Sequence, residues 1–179
     1  GDDVMAMVAV KDLLPCMLTL RLAYSGVWPE RPTPATDSLL RLDGMLMRRG
    51  HVQLDGNLHR VMGWKATASI GAVVAHHTAP LAMVLKELRA AEKDAKAAGR
   101  DAFALRVLKR GGGDESLSMP WLMAHQGWET MPELESTRMG LLMQLRDKLA
   151  EEGELSRRVA YLVNSWLPML PNHDQYKDV

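Results

Sequence analysis

The sequence has little cysteine, little phenylalanine and no excess of either charge. Its single cysteine, Cys16, excludes an intramolecular disulfide and suits a reducing compartment. The formal net charge is +0, which argues against a general basic coat for nucleic acid but leaves local basic patches open. Thirteen methionines against one phenylalanine predict a core filled by flexible side chains.

Long hydrophobic runs are also missing. No apolar stretch approaches the roughly 20 residues that span a bilayer, and no charged segment precedes a short apolar core as in a signal peptide. We therefore expect a cytoplasmic protein that makes no contact with a membrane. An initiator methionine is absent too, and the chain opens directly on Gly1-Asp2-Asp3. A hairpin at these residues needs an incoming strand, so we expect a piece of a larger protein.

The amino-terminal stretch combines two carboxylates with an unbroken apolar run. Val4–Val10 is apolar throughout, which is typical of a strand buried on both faces. Gly1 permits a sharp turn, so Asp2 and Asp3 would lie at the rim of a rigid sheet. Two neighbouring like charges favour a neutralising cation, and Mg²⁺ prefers carboxylate and phosphate oxygens. The alternative is an ordinary Gly-Asp turn beside a strand.

Hydrophobic periodicity further along predicts alternating helices and strands around an irregular insertion at 26–63. The predicted elements are a helix from Asp12 to Gly26, a short helix at 38–47, a hairpin turning at Asp55-Gly56-Asn57, a strand at 66–75, a helix opened by Thr78 and Pro80 and ended by Gly99, and a strand at 101–110. This order predicts an α+β fold with helices on one face of a sheet.

The chain changes character after the triglycine Gly111-Gly112-Gly113, which we interpret as a flexible joint. Two helices at 141–151 and 154–170 predict a helical region. The predicted division is therefore a first domain at 1–113 and a small helical domain at 114–179. We expect the tryptophans of this second region, Trp121, Trp128 and Trp166, to act as packing anchors or partner contacts.

One face of the predicted 79–98 helix carries a basic stripe of Arg89, Lys93 and Lys96, which the same spacing extends to Arg100. A solvated face with a Glu92–Lys96 ion pair is one interpretation. The other is that the carboxyl-terminal end of the stripe contacts a triphosphate, a role that suits a lysine point charge.

The remaining candidates are weaker as sites. His76 and His77 are adjacent, so on a strand they would point to opposite faces and could not easily bind one metal. We expect them to cap the strand. Cys16 lies in a leucine-rich helix and is expected in the core.

Several ordered motifs together point to a family. They are the Gly1-Asp2-Asp3 hairpin, the strand at 66–75 ending in His76-His77, Ala79-Pro80-Leu81, the helix segment 91–96, Gly99-Arg100-Asp101-Ala102, and the strand ending in Leu108-Lys109-Arg110. In this order they resemble the large subunit of type III CRISPR effector complexes, in the Cmr-type branch sometimes called the CRISPR polymerase. The resemblance covers residues 1–24 and 58–113.

This resemblance implies a ferredoxin-like palm fold related to nucleotide cyclases, here lacking its first strand and helix. It implies that Asp2 and Asp3 hold two divalent ions, Mg²⁺ or Mn²⁺, and that Gly1, Lys96 and Arg100 contact the nucleotide. In the family, this palm joins ATP into cyclic oligoadenylates when the complex binds target RNA, as an antiviral second messenger. The implied partners are other effector subunits, guide RNA and target RNA.

Two other functions stay open. The palm could be an idle structural and RNA-binding scaffold within the same complex. A stand-alone dinucleotide cyclase using GTP would have an aromatic residue after the acids, where this chain has Val4. The partner palm is absent from the sequence, so we expect this chain by itself to be inactive.

Overall fold

The fold is mixed α+β. The computed structural model describes residues 4–26, 46–48, 51–54, 56–63, 65–123, 126–127, 136–150, 156 and 158–169. The chain forms two compact units, Gly1–Leu141 and Leu142–Val179. None of the helices in the described ranges is long and apolar enough to cross a membrane.

Residues 4–9 form neither helix nor strand, so the predicted buried strand at Val4–Val10 is wrong for this structure. Val4 is 80% exposed and Met7 is 94% exposed. An apolar run without alternation needs cover on both faces. None of the described strands pairs with this segment, and its exposed side chains show that the described chain does not supply such cover.

The first helix, α1 (Leu13–Ser25), follows a 3₁₀ turn at Val10–Asp12. It ends as predicted at Gly26, whose φ of 65° is the left-handed conformation that glycine adopts readily at a helix end. The predicted cap by Asp12 is wrong, because its side chain makes no capping hydrogen bond. Met17, Leu18 and Leu22 give the helix its buried face.

A small antiparallel sheet occupies part of the predicted insertion. Its strands are β1 (Leu46–Arg48), β2 (His51–Leu54) and β3 (Asn57–Arg60), in that order. Leu54 pairs with Asn57, so the predicted hairpin is confirmed with a two-residue turn, and Gly56 adopts a φ of 78° there. The predicted short helix at 38–47 is wrong at its end, which lies in β1, and its remainder falls outside the described residues.

The main sheet has the order β4 (Ile70–Val74), β5 (Ala102–Leu108) and β6 (Asp114–Pro120). β4 and β5 are parallel and are joined by the helix α2 (Leu81–Ala97), while β5 and β6 form an antiparallel hairpin. The predicted strand at 66–75 begins later, at Ile70. The predictions of α2 and of β5 are confirmed with slightly shorter bounds.

The triglycine is the turn of the β5–β6 hairpin, so the predicted flexible joint is wrong. The Lys109 amide donates to the Gly113 carbonyl at 3.2 Å, and Gly112 and Gly113 both have positive φ. β6 alternates exposed Ser116 and Ser118 with half-buried Leu117 and Met119. This period of two is the signal of a strand that the helical interpretation overlooked. The assignment of 1–113 and 114–179 to a palm and a helical domain stays a prediction.

Two further helices follow, α3 (Arg138–Ala150) and α4 (Arg158–Trp166), and a 3₁₀ turn at Leu167–Met169 ends the described chain. They confirm the two helices predicted at 141–151 and 154–170, with shifted bounds. The exposed apolar side chains of α4 include Tyr161 and Trp166.

Helix α2 packs very closely on β4 through small residues. Ala91 and Ala95 of the helix form a fully buried cluster with Ala104 of β5. A Cβ atom added at Gly71 would lie only 2.3 Å from the backbone nitrogen of Glu92. The atoms that such a Cβ would meet belong to the helix backbone, so no side-chain rotation can relieve the contact.

We therefore expect Gly71→Ala to push α2 away from the sheet and to lower the free energy of unfolding by at least about 2 kcal/mol. Urea denaturation of the two chains measures this difference. Gly111→Ala is the matched control, since a Cβ at Gly111 meets nothing within 4 Å. Equal midpoints for both variants would contradict the close packing.

Candidate functional site

The predicted site residues are distributed unevenly over the described chain. Lys96 and Arg100 are described, whereas Gly1, Asp2 and Asp3 lie outside the described residues. The predicted convergence of the acid pair with the end of α2 therefore stays a prediction. The described part of this site is its cationic side, together with the elements that hold it.

The basic stripe on α2 is exposed at Arg89, Lys93 and Lys96. The Lys96 ammonium forms the predicted ion pair with Glu92, four residues earlier, at 2.5 Å. Both side chains are about half exposed, at 48% and 40%, so this pair contributes only about 0.3–0.5 kcal/mol. Such a weak pair can rearrange when a more highly charged anion approaches Lys96.

Arg100 does not continue the stripe, which corrects the prediction that helical spacing extends to it. The helix ends at Ala97, and the chain turns through Gly99 at φ 117° and Arg100 at φ 64°. The left-handed region costs a non-glycine residue roughly 1–2 kcal/mol. Arg100 is the one non-glycine residue with positive φ in the described ranges, and its side chain is exposed.

A loop of four residues, 98–101, joins α2 to β5 and is held by contacts from distant parts of the chain. The Ser69 hydroxyl donates to the Arg100 carbonyl at 2.6 Å. The Trp121 amide donates to the Asp101 carbonyl at 3.1 Å. Because β4 and β5 are parallel, Ser69 and this loop lie at the same edge of the sheet, where both strands begin. We call this edge the amino edge.

The side chain of Asp101 is fixed as well. It accepts a hydrogen bond from Nε of Arg21 at 2.7 Å, and the Arg21 side chain is completely buried. A buried guanidinium needs a carboxylate partner, so this pair ties α1 to the start of β5. Sequence analysis gave neither residue this role, although Asp101 belongs to the motif at 99–102. The available signal was an arginine set among the leucines of an apolar helix.

Trp121 also lies at the amino edge, directly after the end of β6. Its indole nitrogen donates to the Ala68 carbonyl at 3.0 Å, and its ring packs against Phe103 with centroids 4.9 Å apart. Both rings are fully buried. Trp121 is thus the predicted packing anchor, but it belongs to the unit that contains the main sheet. Trp166 is 56% exposed, and Trp128 lies outside the described residues.

An ion-pair network fixes α2 on β5 and so fixes the helix that carries Lys96. Arg106 of β5 binds Asp94 and Glu87 of α2, at 2.6 Å each. The hydrogen bond to Asp94 raises the pKa of the Arg106 guanidinium, partial desolvation opposes that shift, and the hydrogen bond to Glu87 adds to it. A guanidinium stays protonated throughout the ordinary pH range, so Arg106 remains a cation in this network.

The two histidines lie at the opposite edge, after the end of β4. Their rings are 4.2 Å apart and tilted, so the prediction that they point to opposite faces is wrong. The strand ends at Val74, and the turn that follows brings the rings together. Nδ1 of His76 forms a hydrogen bond with the Thr78 hydroxyl at 2.8 Å.

Within the described ranges, no three histidine, cysteine, aspartate or glutamate side chains are grouped to hold a metal ion. Cys16 is only partly buried, so its expected place in the core is not confirmed.

Comparison of the chain with protein-family models, with curated proteins and with solved structures finds no match in any of the three. The residues and contacts described above are therefore the basis for assigning a function.

Proposed function

We propose that this chain is part of the large subunit of a type III CRISPR effector complex and that its palm converts ATP to cyclic oligoadenylates. The observation that carries the proposal is the unit β4–α2–β5, in which the motif segments at 66–77, 91–96 and 99–102 follow one another as strand, helix and loop. This arrangement supports the layer of helix on sheet that the proposed palm requires.

The charges of the amino edge also support nucleotide binding. Lys96 lies on the last turn of α2 and Arg100 three residues beyond the helix, both exposed. An ammonium and a guanidinium suit the non-bridging oxygens of a triphosphate. The role of these residues would be to bind and orient the triphosphate. The ion pair between Arg21 and Asp101 would hold the loop that carries Arg100.

The acid pair would supply the metal-binding part of the site. Asp2 and Asp3 are carboxylates on consecutive residues, a donor set that fits a hard divalent cation such as Mg²⁺ or Mn²⁺. Bound to these carboxylates, two such ions would lower the pKa of an attacking 3′-hydroxyl and stabilise the leaving pyrophosphate. The chain itself then needs only to position its ligands, because phosphoryl transfer demands little covalent chemistry of the protein.

The experiment that tests this proposal uses the assembled complex with its guide RNA. The complex is incubated with ATP, Mg²⁺ or Mn²⁺, and target RNA, and the products are separated by chromatography. We expect cyclic oligoadenylates only when the target RNA is present. A complex that binds target RNA but yields no cyclic product would instead support the alternative, an idle structural and RNA-binding scaffold.

A further inference from the structure

We propose that Ser69 is a positioning residue for nucleotide binding: its hydroxyl holds Arg100 in the conformation that presents the guanidinium to the phosphates of ATP. This inference rests on the proposed function, since it names how one phosphate contact of that site is fixed. The Ser69 hydroxyl donates its hydrogen bond to the loop, so its effect on the nucleotide passes through Arg100.

The first observation is the residue type at position 100. A glycine adopts a φ of 64° without strain, yet this position carries an arginine. Strain of this kind is retained where the side chain contributes something that the backbone alone does not. Within the described part of the chain, the Arg100 guanidinium forms no salt bridge, since the described ion pairs join other side chains. Ion pairs within the described chain therefore do not account for an arginine at this position.

The second observation is how the loop is held. Asp101 is fixed twice, by the Arg21 side chain and by the Trp121 amide. The peptide that follows Arg100 is held by Ser69, whose hydroxyl lies 2.6 Å from the Arg100 carbonyl oxygen. Without this hydrogen bond, the Arg100 backbone can relax toward negative φ while Asp101 stays in place. The guanidinium would then leave its position although the fold is unchanged.

The third observation is the position of Arg100 relative to the basic stripe. Lys96 lies in the last turn of α2, and Arg100 follows four residues later, so both cations lie at the amino edge. An arginine offers paired donors to a phosphate, whereas a lysine offers a point charge. A preorganised arginine beside a lysine therefore fits a polyphosphate better than a single phosphate group.

The test is a set of variants in the assembled complex, assayed for ATP turnover with target RNA. We expect Ser69→Ala to raise the KM for ATP about five-fold with kcat nearly unchanged, because an initial binding contact is lost rather than a contact of the transition state. Ser69→Thr keeps the hydroxyl and should restore the KM. Ser118→Ala removes an exposed serine of β6 and serves as the matched control.

Arg100→Gly separates the positioning role from a purely structural one. Glycine relieves the positive φ, so the thermal midpoint should rise, while the KM for ATP should rise at least as much as in Ser69→Ala. The double variant Ser69→Ala with Arg100→Gly should have the KM of Arg100→Gly alone, since Ser69 acts through Arg100. A higher KM in the double variant than in Arg100→Gly alone would overturn the proposal. An unchanged KM in either single variant would overturn it as well.

A failure of the proposed function gives a different result. If the wild-type complex forms no cyclic product, the same variants are compared by equilibrium binding of labelled ATP. Weaker ATP binding in Ser69→Ala and Arg100→Gly, but not in Ser118→Ala, would support the positioning role even then. No ATP binding by the wild-type complex would overturn both proposals.

Discussion

Replacing Asp2 and Asp3 together with alanine is expected to abolish the formation of cyclic oligoadenylates. If the two carboxylates hold the divalent ions, their removal takes away several kcal/mol of transition-state stabilisation, which corresponds to about a thousandfold or more in rate. The measurement is the initial rate of ATP conversion by the assembled complex with target RNA and saturating Mg²⁺. The same double variant should bind guide and target RNA as the wild-type complex does.

The control for this experiment is a carboxylate elsewhere in the same unit. Asp114→Ala removes an exposed acid at the start of β6, which pairs with the carboxyl end of β5 and so lies at the edge opposite the amino edge. Its rate should stay within about twofold of wild type, because it has no role in the proposed site. Loss of RNA binding in the Asp2/Asp3 double variant would refute the assignment, since the acids would then be structural.

Local patterns in the sequence predicted the helices well because each signal lies within the helix itself. α1 ends at Gly26 and α2 ends just before Gly99, as their apolar periodicity and the two glycines indicate. The strand β5 was predicted by the same local reasoning. Val4–Val10 failed because a strand depends on partners, and none of the described strands pairs with it.

The candidate site was predictable only in part, for a related reason. The Glu92–Lys96 pair spans four residues and was foreseen. The contacts that hold the loop at 98–101 join residues far apart in sequence. Arg21 is 80 residues from Asp101, and Ser69 is 31 residues from Arg100. No periodicity or motif reports such pairs, so they emerge only when the strands and helices are assembled.

Trp121→Ala is expected to cause the largest loss of stability among side-chain truncations at the amino edge. The indole is completely buried, packs against Phe103 and donates to the Ala68 carbonyl. Truncating a buried tryptophan leaves a large cavity and costs about 3–5 kcal/mol. Urea denaturation of the full chain measures this change. Trp166→Ala is the matched control, and we expect its free energy of unfolding to change by less than about 1 kcal/mol, because that side chain is 56% exposed.

Trp121→Phe distinguishes packing from hydrogen bonding if the alanine variant does not fold. Phenylalanine fills most of the space but leaves the Ala68 carbonyl without its indole donor, which costs about 1–3 kcal/mol. Since Ala68 precedes Ser69, this variant should also disturb the hydroxyl that holds Arg100, and the KM for ATP should rise with the loss of stability. A destabilised Trp121→Phe complex with an unchanged KM would show that the indole supports the sheet without supporting the loop at its edge.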